Sequence, residues 1–306
     1  MEERNPRVLE VTGAALPTWV RQRAAALKAR ANTSIRAAVG INQEPPPRCN
    51  DPAVAYTPVD GVSRLVHGDL ASMLIGGLAS LFFQMLHPLA MAGVAQHSRY
   101  QRDPLGRMLQ TANFIGATTY GSKQDAYAAI ERVRAVHEAV RGVADDGRPY
   151  AASDPHLLLW VHCAEISMFL AGYERFGRDT LRAGEADAYV AETALLALDL
   201  GVASPPTSVA QLRACLEAFR PELRLSPEGA LARDFITRGV VRGAAHRMAY
   251  WVIVRSSYAL MEPWAREMLG VRLAPRGERW ILRPIARQLC RGLRVAVPPA
   301  PRVSPN

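Results

Sequence analysis

The 306-residue chain predicts an all-α fold, one large multi-helix domain. Apolar residues recur at intervals of three and four along most of its length. Alternating strand patterns are almost absent; the best run, Trp251 to Val254, sits inside a helical stretch. Ser, Asp and Pro precede the apolar runs as helix starts, and glycines follow them. With 49% apolar residues, a chain of this length buries a substantial core. Ordinary helix lengths then predict about nine to twelve helices, and no repeat of fixed period is visible.

The first predicted element spans residues 17–39, "PTWVRQRAAALKARANTSIRAAV", rich in Ala and Arg with apolar residues at helical intervals. It reads as one or two amphipathic helices, followed by the proline-rich connector "GINQEPPPRCNDPAV". Residues 1–60 are thus expected to form an N-terminal helical segment and connector. Residues 61–295 form the main domain, and residues 296–306, ending in "PPAPRVSPN", a disordered tail.

The main domain opens on "LASMLIGGLASLFFQML", residues 70–86, which carries no charge over 17 residues. That is just under a membrane-spanning length, and it runs into His87 and Pro88 instead of basic flanks. A buried core helix is the better prediction, with peripheral membrane contact left open. Pro88 must end or kink the helix, because it lacks an N–H and its ring clashes with the preceding turn. The apolar piece that follows makes a bend suited to walling a cavity.

Residues 104–119, "PLGRMLQTANFIGATT", read as a helix with Arg107 and Thr111 one turn apart. In "YGSKQDAYAAIERVRAVHEAVRG", Ser122 is the expected N-cap with Asp125 three residues on, and Gly142 the expected residue just past the C-cap. Residues 154–177 form a long apolar helix, begun by Asp154 and Pro155, with His162, Glu165 and Ser167 among residues of core type. Residues 204–223 supply another capped helix. Residues 242–270 supply an apolar one interrupted near Pro263.

The net charge is +9, but lysine occurs only at positions 28 and 123. The arginine excess reflects a GC-rich codon bias before it reflects function. These arginines are scattered and are not interleaved with aromatics, which argues against a nucleic-acid partner. Cys49, Cys163, Cys215 and Cys290 lie far apart without a C-x-x-C pair. They match neither a zinc site nor a disulfide framework, and read as free thiols of a reducing compartment. The stretch "MEERNPRVLEVTG" is charged and has no apolar signal core, so a cytoplasmic location is expected.

Several chemistries lose their usual support. Seven histidines are present, but no H-E-x-x-H or H-x-H pattern, and there is no G-x-S-x-G, P-loop or G-x-G-x-x-G. Asp145 and Asp146 sit in a glycine-containing turn that reads as a solvated loop. What stands out is Arg134, His137 and Arg141, whose offsets of three and seven fall on one helix face. That stripe fits an ordinary charged surface, with His137 favoured near a helix C-terminus and the arginines paired to Glu131 or Glu138. From the residues alone that reading ranks first; two guanidinium groups flanking one imidazole also suit an anionic, metal-bearing ligand such as haem. His162 reads as a core histidine satisfied by a carbonyl or by Glu165.

The run "HGDLASMLIGGLASLFFQMLHPLAMAGVAQHSRYQRDPLGRMLQT", then "YGSKQDAYAAIERVRAVHEAVRG" and "YAASDPHLLLWVHCAEISMFLAGYERFG", resembles the catalytic-domain family shared by MpaB-type oxygenases and latex-clearing proteins. The resemblance covers about Gly61 to Leu200, and the order of its motifs is more specific than any one of them. It implies a buried pocket for haem b. His137 would be the axial iron ligand within an Arg-x-x-His-x-x-x-Arg motif that Arg134 and Arg141 complete. His162 is the second choice of ligand, otherwise a residue lining the pocket, and Tyr120 is expected nearby. Arg107 and Thr111 match an Arg-x-x-x-Thr motif on the distal side, where they would act catalytically by hydrogen bonding to dioxygen or a substrate oxygen.

Gln110 stands where the latex-clearing group can carry an iron-capping lysine, and "HPLAMAGVAQHSRY" holds no carboxylate to match that group's catalytic glutamate. The implied function is a haem b-dependent oxygenase acting with dioxygen on an apolar small molecule, isoprenoid or polyketide-like, by oxidative C=C cleavage. A peroxidase-like oxidase on the same haem is a variant of it. The alternative is a non-catalytic haem-binding or haem-sensing protein, and after it a structural protein whose Arg/His stripe is a solvated face.

Overall fold

The computed structural model describes Arg23, residues 48–239, residues 243–299 and Arg302. Apart from Arg23, the amphipathic helices expected over residues 17–39 lie outside the described residues. From residue 62 the chain runs through α1 (Val62–His67), α2 (Leu70–Gln84), α3 (Pro88–His97), α4 (Pro104–Tyr120) and α5 (Lys123–Ala139). A short antiparallel hairpin, β1 (Arg141–Val143) with β2 (Pro149–Ala151), follows. Then come α6 (Pro155–Phe176), α7 (Glu185–Leu200), α8 (Val209–Phe219), α9 (Pro227–Arg238), α10 (Ala244–Leu260), α11 (Pro263–Met268) and α12 (Arg283–Ala296). The domain is all-α as its periodicity predicts, with one small hairpin among the described residues that the periodicity does not reveal.

The uncharged run becomes α2, the central helix. Ile75, Ala79, Phe82 and Leu86 are buried, and each large apolar side chain so removed from water contributes about 1.5–3 kcal/mol. One side of α2 lies against α6, so close that a Cβ on Gly76 would sit 2.8 Å from the Met168 carbonyl oxygen. A Cβ on Gly172 would in turn meet Gly76 Cα at 3.0 Å, so two glycines permit this crossing. The other side faces α10, where Phe82 stacks on Tyr258 at 4.3 Å and the Ser257 hydroxyl donates to the Ile75 carbonyl at 2.8 Å. Among the described residues no single helix is long and apolar enough to cross a membrane; α2 and α3 reach that length only together, across a bend of 104°.

A second core joins α1, α6, α7 and α8 through Val66, Cys163, Ile166, Phe169, Tyr173, Tyr189, Val190 and Leu212. Helix α7 is bounded by Gly184 and Gly201, whose φ of 81° and 108° place both in the left-handed region where a side chain is strained. The C-terminal helix is locked by charge. Asp69, 1% exposed, caps α2 through Ala71 N–H, accepts Arg178 N–H at 2.8 Å, and receives Arg294 Nη2 at 2.7 Å and Nε at 3.0 Å. Of the expected tail, Ala296 closes α12 and Arg302 pairs with Glu185; residues 300, 301 and 303–306 lie outside the described residues.

A candidate cofactor site at the open end of a helical hairpin

Helices α4 and α5 run antiparallel, joined by Gly121 and Ser122. The joint is a capping box: the Ser122 hydroxyl accepts Asp125 N–H at 3.2 Å, and Asp125 Oδ2 accepts Ser122 N–H at 3.3 Å. The segment before α1 clamps this end, with Cys49 N–H donating to the Tyr120 carbonyl and Lys123 N–H to that of Val54, both at 2.7 Å. Tyr120 belongs to this closed end: its hydroxyl donates to the Arg64 carbonyl at 3.0 Å, and Arg48 covers its ring at 4.4 Å.

At 1.5 Å per residue, Arg107 on α4 and His137 on α5 both lie about 20 Å from the turn, and so stand level at the open end. The electrostatics agree. Burial, and next the positive charge of Arg107, hold the His137 imidazole below the ordinary histidine pKa, while Glu138 opposes them. The ring is therefore neutral near pH 7, and its Nδ1 is buried without a hydrogen-bond partner among the described residues. Arg107 is exposed and forms no ion pair among those residues. Thr111, half-buried one turn further in, spends its hydroxyl on the Arg107 carbonyl at 3.2 Å. Around them Met108 is 39% exposed and Leu109 half-buried, while two turns further in Phe114 packs against Tyr56, Ala126 and Ile130, and Ile115 joins the second core. Gln110 is exposed.

The two flanking arginines are placed differently from the predicted stripe. Arg134 is on α5 but turns toward the end of α7, donating to the Asp199 carbonyl at 3.4 Å, with Glu131 at 3.9 Å. Arg141 is not on the helix. Helix α5 stops at Ala139, Val140 is extended (φ −91°, ψ 99°), and Arg141 begins β1 with its guanidinium folded back onto the Glu138 carbonyl at 2.7 Å. Gly142 is a strand residue, not a helix terminator. A Cβ there would come within 2.8 Å of the Tyr150 hydroxyl oxygen and of Gln96 Oε1, so a larger residue has to displace those two side chains.

His162 lies on α6, 9% exposed, and burial brings its pKa down to about 4. Its Nε2 is buried without a partner, so neither a carbonyl nor Glu165 satisfies it as the sequence suggests. Glu165, one turn on, is pushed up to about 7 by burial alone, although part of its surface stays accessible. Beside this face, His67 is fully engaged, Nδ1 to Thr119 Oγ1 at 2.8 Å and Nε2 to the Tyr189 hydroxyl at 3.0 Å, with its pKa lowered by burial to about 4. The His67, Tyr189 and Glu165 group was not legible as a unit, because its members come from three helices with no common spacing.

Among the described residues no three His, Cys, Asp or Glu side chains converge, so the His137 imidazole is a lone donor. His137, with Arg107 lowering its pKa, and His162 on α6 each present a single neutral imidazole nitrogen without a partner among the described residues. The chain matches the model of the family described as ER-bound oxygenase mpaB/B'/Rubber oxygenase, catalytic domain, over residues 64–295, and it belongs to that family. No curated protein and no solved structure matches it.

Proposed function

We propose that the chain binds haem b, with His137 as the axial iron ligand, and acts with dioxygen on an apolar small molecule of isoprenoid or polyketide-like character. The observation that carries this is the neutral His137 imidazole, with an unpartnered buried Nδ1, standing level with Arg107 in a member of an oxygenase family. A metal needs the unprotonated ring, and burial together with Arg107 supplies it. Arg134 and Arg141 suit the haem propionates, since a guanidinium matches a carboxylate bidentately. Their present ion pairs, at 3.9 and 3.6 Å on the surface, are weak enough to exchange.

When bound, the haem supplies the activation of dioxygen that no side chain can provide. The chain contributes placement. Arg107 brings positive charge and N–H donors to the open end of the hairpin, and the Thr111 hydroxyl becomes a second donor once it leaves the Arg107 carbonyl. Met108 and Leu109 offer apolar surface beside them for an olefin, for which oxidative C=C cleavage is the matching reaction. His162 is the rival ligand, its Nε2 equally unpartnered but with no arginine named among the charges acting on it.

A second reading, haem binding or sensing without turnover, is favoured by Gln110 and by the absence of any carboxylate from residues 87–100. An absorption spectrum with a pyridine haemochrome assay tests the first step on the wild type, His137→Ala and His162→Ala. Loss of the Soret band in the His137 variant alone supports the assignment. No Soret band in wild type after added hemin refutes haem binding. Consumption of an olefin under dioxygen by the ferrous protein separates oxygenase from sensor.

A further inference from the structure

Two thiols meet away from this site. Cys163, on α6, is fully buried in the second core, and its Sγ–H points at Cys215 Sγ, 3.2 Å away on α8. Cys215 is half-buried and opens on a cleft of about 370 Å³ lined with Ser204, Pro205, Pro206, Thr207 and Gln211. The rim is held in place: Thr207 donates its N–H and its hydroxyl to Gln211 Oε1 at 2.8 and 3.0 Å, and Ser208 Oγ accepts Gln211 N–H at 3.2 Å. Leu212 and Phe219 anchor α8 on the side that Cys215 shares, three residues after one and four before the other. One thiol thus belongs to a residue that lines a cleft, and its partner is fully buried behind it.

We propose that Cys163 and Cys215 form a reversible redox pair in which Cys215 meets a hydroperoxide and Cys163 closes the bridge. In the first step the Cys215 sulfur attacks the peroxide, the O–O bond breaks, one oxygen stays on sulfur as a sulfenic acid, and the other leaves as water (or as an alcohol from an organic hydroperoxide). In the second, the Cys163 sulfur displaces that oxygen as water and forms the S–S bond. Two thiols lose two electrons in total, the peroxide gains them, and both thiol protons end in the released products. Closing from 3.2 Å to a disulfide length of about 2.05 Å asks for roughly 1.2 Å of approach shared between two packed helices. Burial of Cys163 keeps the resolving thiol from being oxidised first. The other two thiols differ: Cys290 is buried with its sulfur 3.9 Å from the Ala71 carbonyl, within reach of the Asp69 and Arg294 charges, and Cys49 is half-buried beside the Asp51 carbonyl.

The test is peroxide treatment of the full chain, alkylation under denaturing conditions, and a peptide map without reductant. Expected are a fall in titratable thiols from four to two, a mass loss of about 2 Da, a peptide joining residues 163 and 215, and reversal by dithiothreitol. In Cys163→Ser, dimedone should trap a sulfenic acid at Cys215; in Cys215→Ser, the peroxide-dependent change at Cys163 should vanish. Recovery of both wild-type peptides fully alkylated, at a peroxide dose that modifies Cys49, overturns the pair. So does a bridge from Cys215 to Cys49 or to a second chain. The wild-type map decides even if a serine variant fails to fold.

Discussion

Arg294→Met removes the cation from a carboxylate that has nowhere else to turn. Asp69 is 1% exposed and the Arg294 side chain 16%, so the pair sits in a region where charges are poorly hydrated. Without Arg294, the carboxylate keeps two backbone donors, Ala71 N–H at 3.2 Å and Arg178 N–H at 2.8 Å, and loses every side-chain donor. Arg294 also donates to the Phe176 carbonyl at the end of α6, which the variant leaves bare. Stranding one partner of a buried ion pair costs about 3–5 kcal/mol. At about 2–4 °C per kcal/mol, or somewhat less at this length, Tm should fall by roughly 10 °C. Circular dichroism at 222 nm during heating and in urea measures it, with the exposed Arg291→Met as the control for lost charge on the same helix. Asp69→Asn/Arg294→Met should recover part of the loss, because two neutral groups do not leave a buried charge. A single variant within 1 kcal/mol of wild type would mean that water reaches Asp69, and the lock between α2, α6 and α12 would not exist as described.

Other substitutions probe other levels. Arg107→Ala and Thr111→Ala should retain haem and lose most dioxygen-dependent turnover, whereas His137→Ala should lose the Soret band; a fully active Arg107 variant would remove that residue from the site. Glu165 holds its proton to about pH 7 in the fold but releases it near 4.5 when unfolded, so its burial subtracts stability progressively as pH rises from about 4.5 to about 7. Glu165→Gln should therefore match wild type in urea near pH 4.5 and exceed it by about 2 kcal/mol at pH 8; equal midpoints at both pH values would show an ordinary carboxylate. Ser122→Ala deletes a capping box and should cost about 1 kcal/mol, read as a lower urea midpoint. Gly76→Ala drives a methyl into the Met168 carbonyl and should cost about 1–3 kcal/mol by forcing α2 from α6.

The fold was legible where local and tertiary preferences agree. Residues 70–86 lack charge because α2 is enclosed by α6 and α10, and Pro88 stops the helix for the steric reason any proline would. Ser122 with Asp125, Asp154 with Pro155, and Ser208 act as caps where their spacing indicates. Long-range polar contacts were not legible. Asp69 and Arg294 are 225 residues apart, and Cys163 and Cys215 are 52 apart, and nothing local in either pair announces the other.

The Arg134, His137 and Arg141 stripe shows why a site reads only in part. Ala139, Val140 and Arg141 contain no glycine or proline, so helical periodicity runs on through them unopposed. What ends α5 comes from elsewhere in the chain: Ala152 N–H donates to the Val140 carbonyl at 2.8 Å, and Gln96 Nε2 donates to that of Val143 at 2.9 Å. Tyr150 is buried against Ala92 and Val140. Strand pairing thus takes the backbone that one more helical turn would need, and Arg141 stands on a hairpin anchored on α3 with its guanidinium on the Glu138 carbonyl. Arg107, by contrast, is brought level with His137 by two helix lengths and a two-residue turn, which the sequence does contain. A motif can therefore survive intact in one dimension while its arginines stand on different elements. In that arrangement Arg134 and Arg141 are free to be tuned separately, and single alanine variants at the two positions should weaken haem retention independently, with losses that add in the double variant. A double variant no worse than either single would place both guanidinium groups on one propionate.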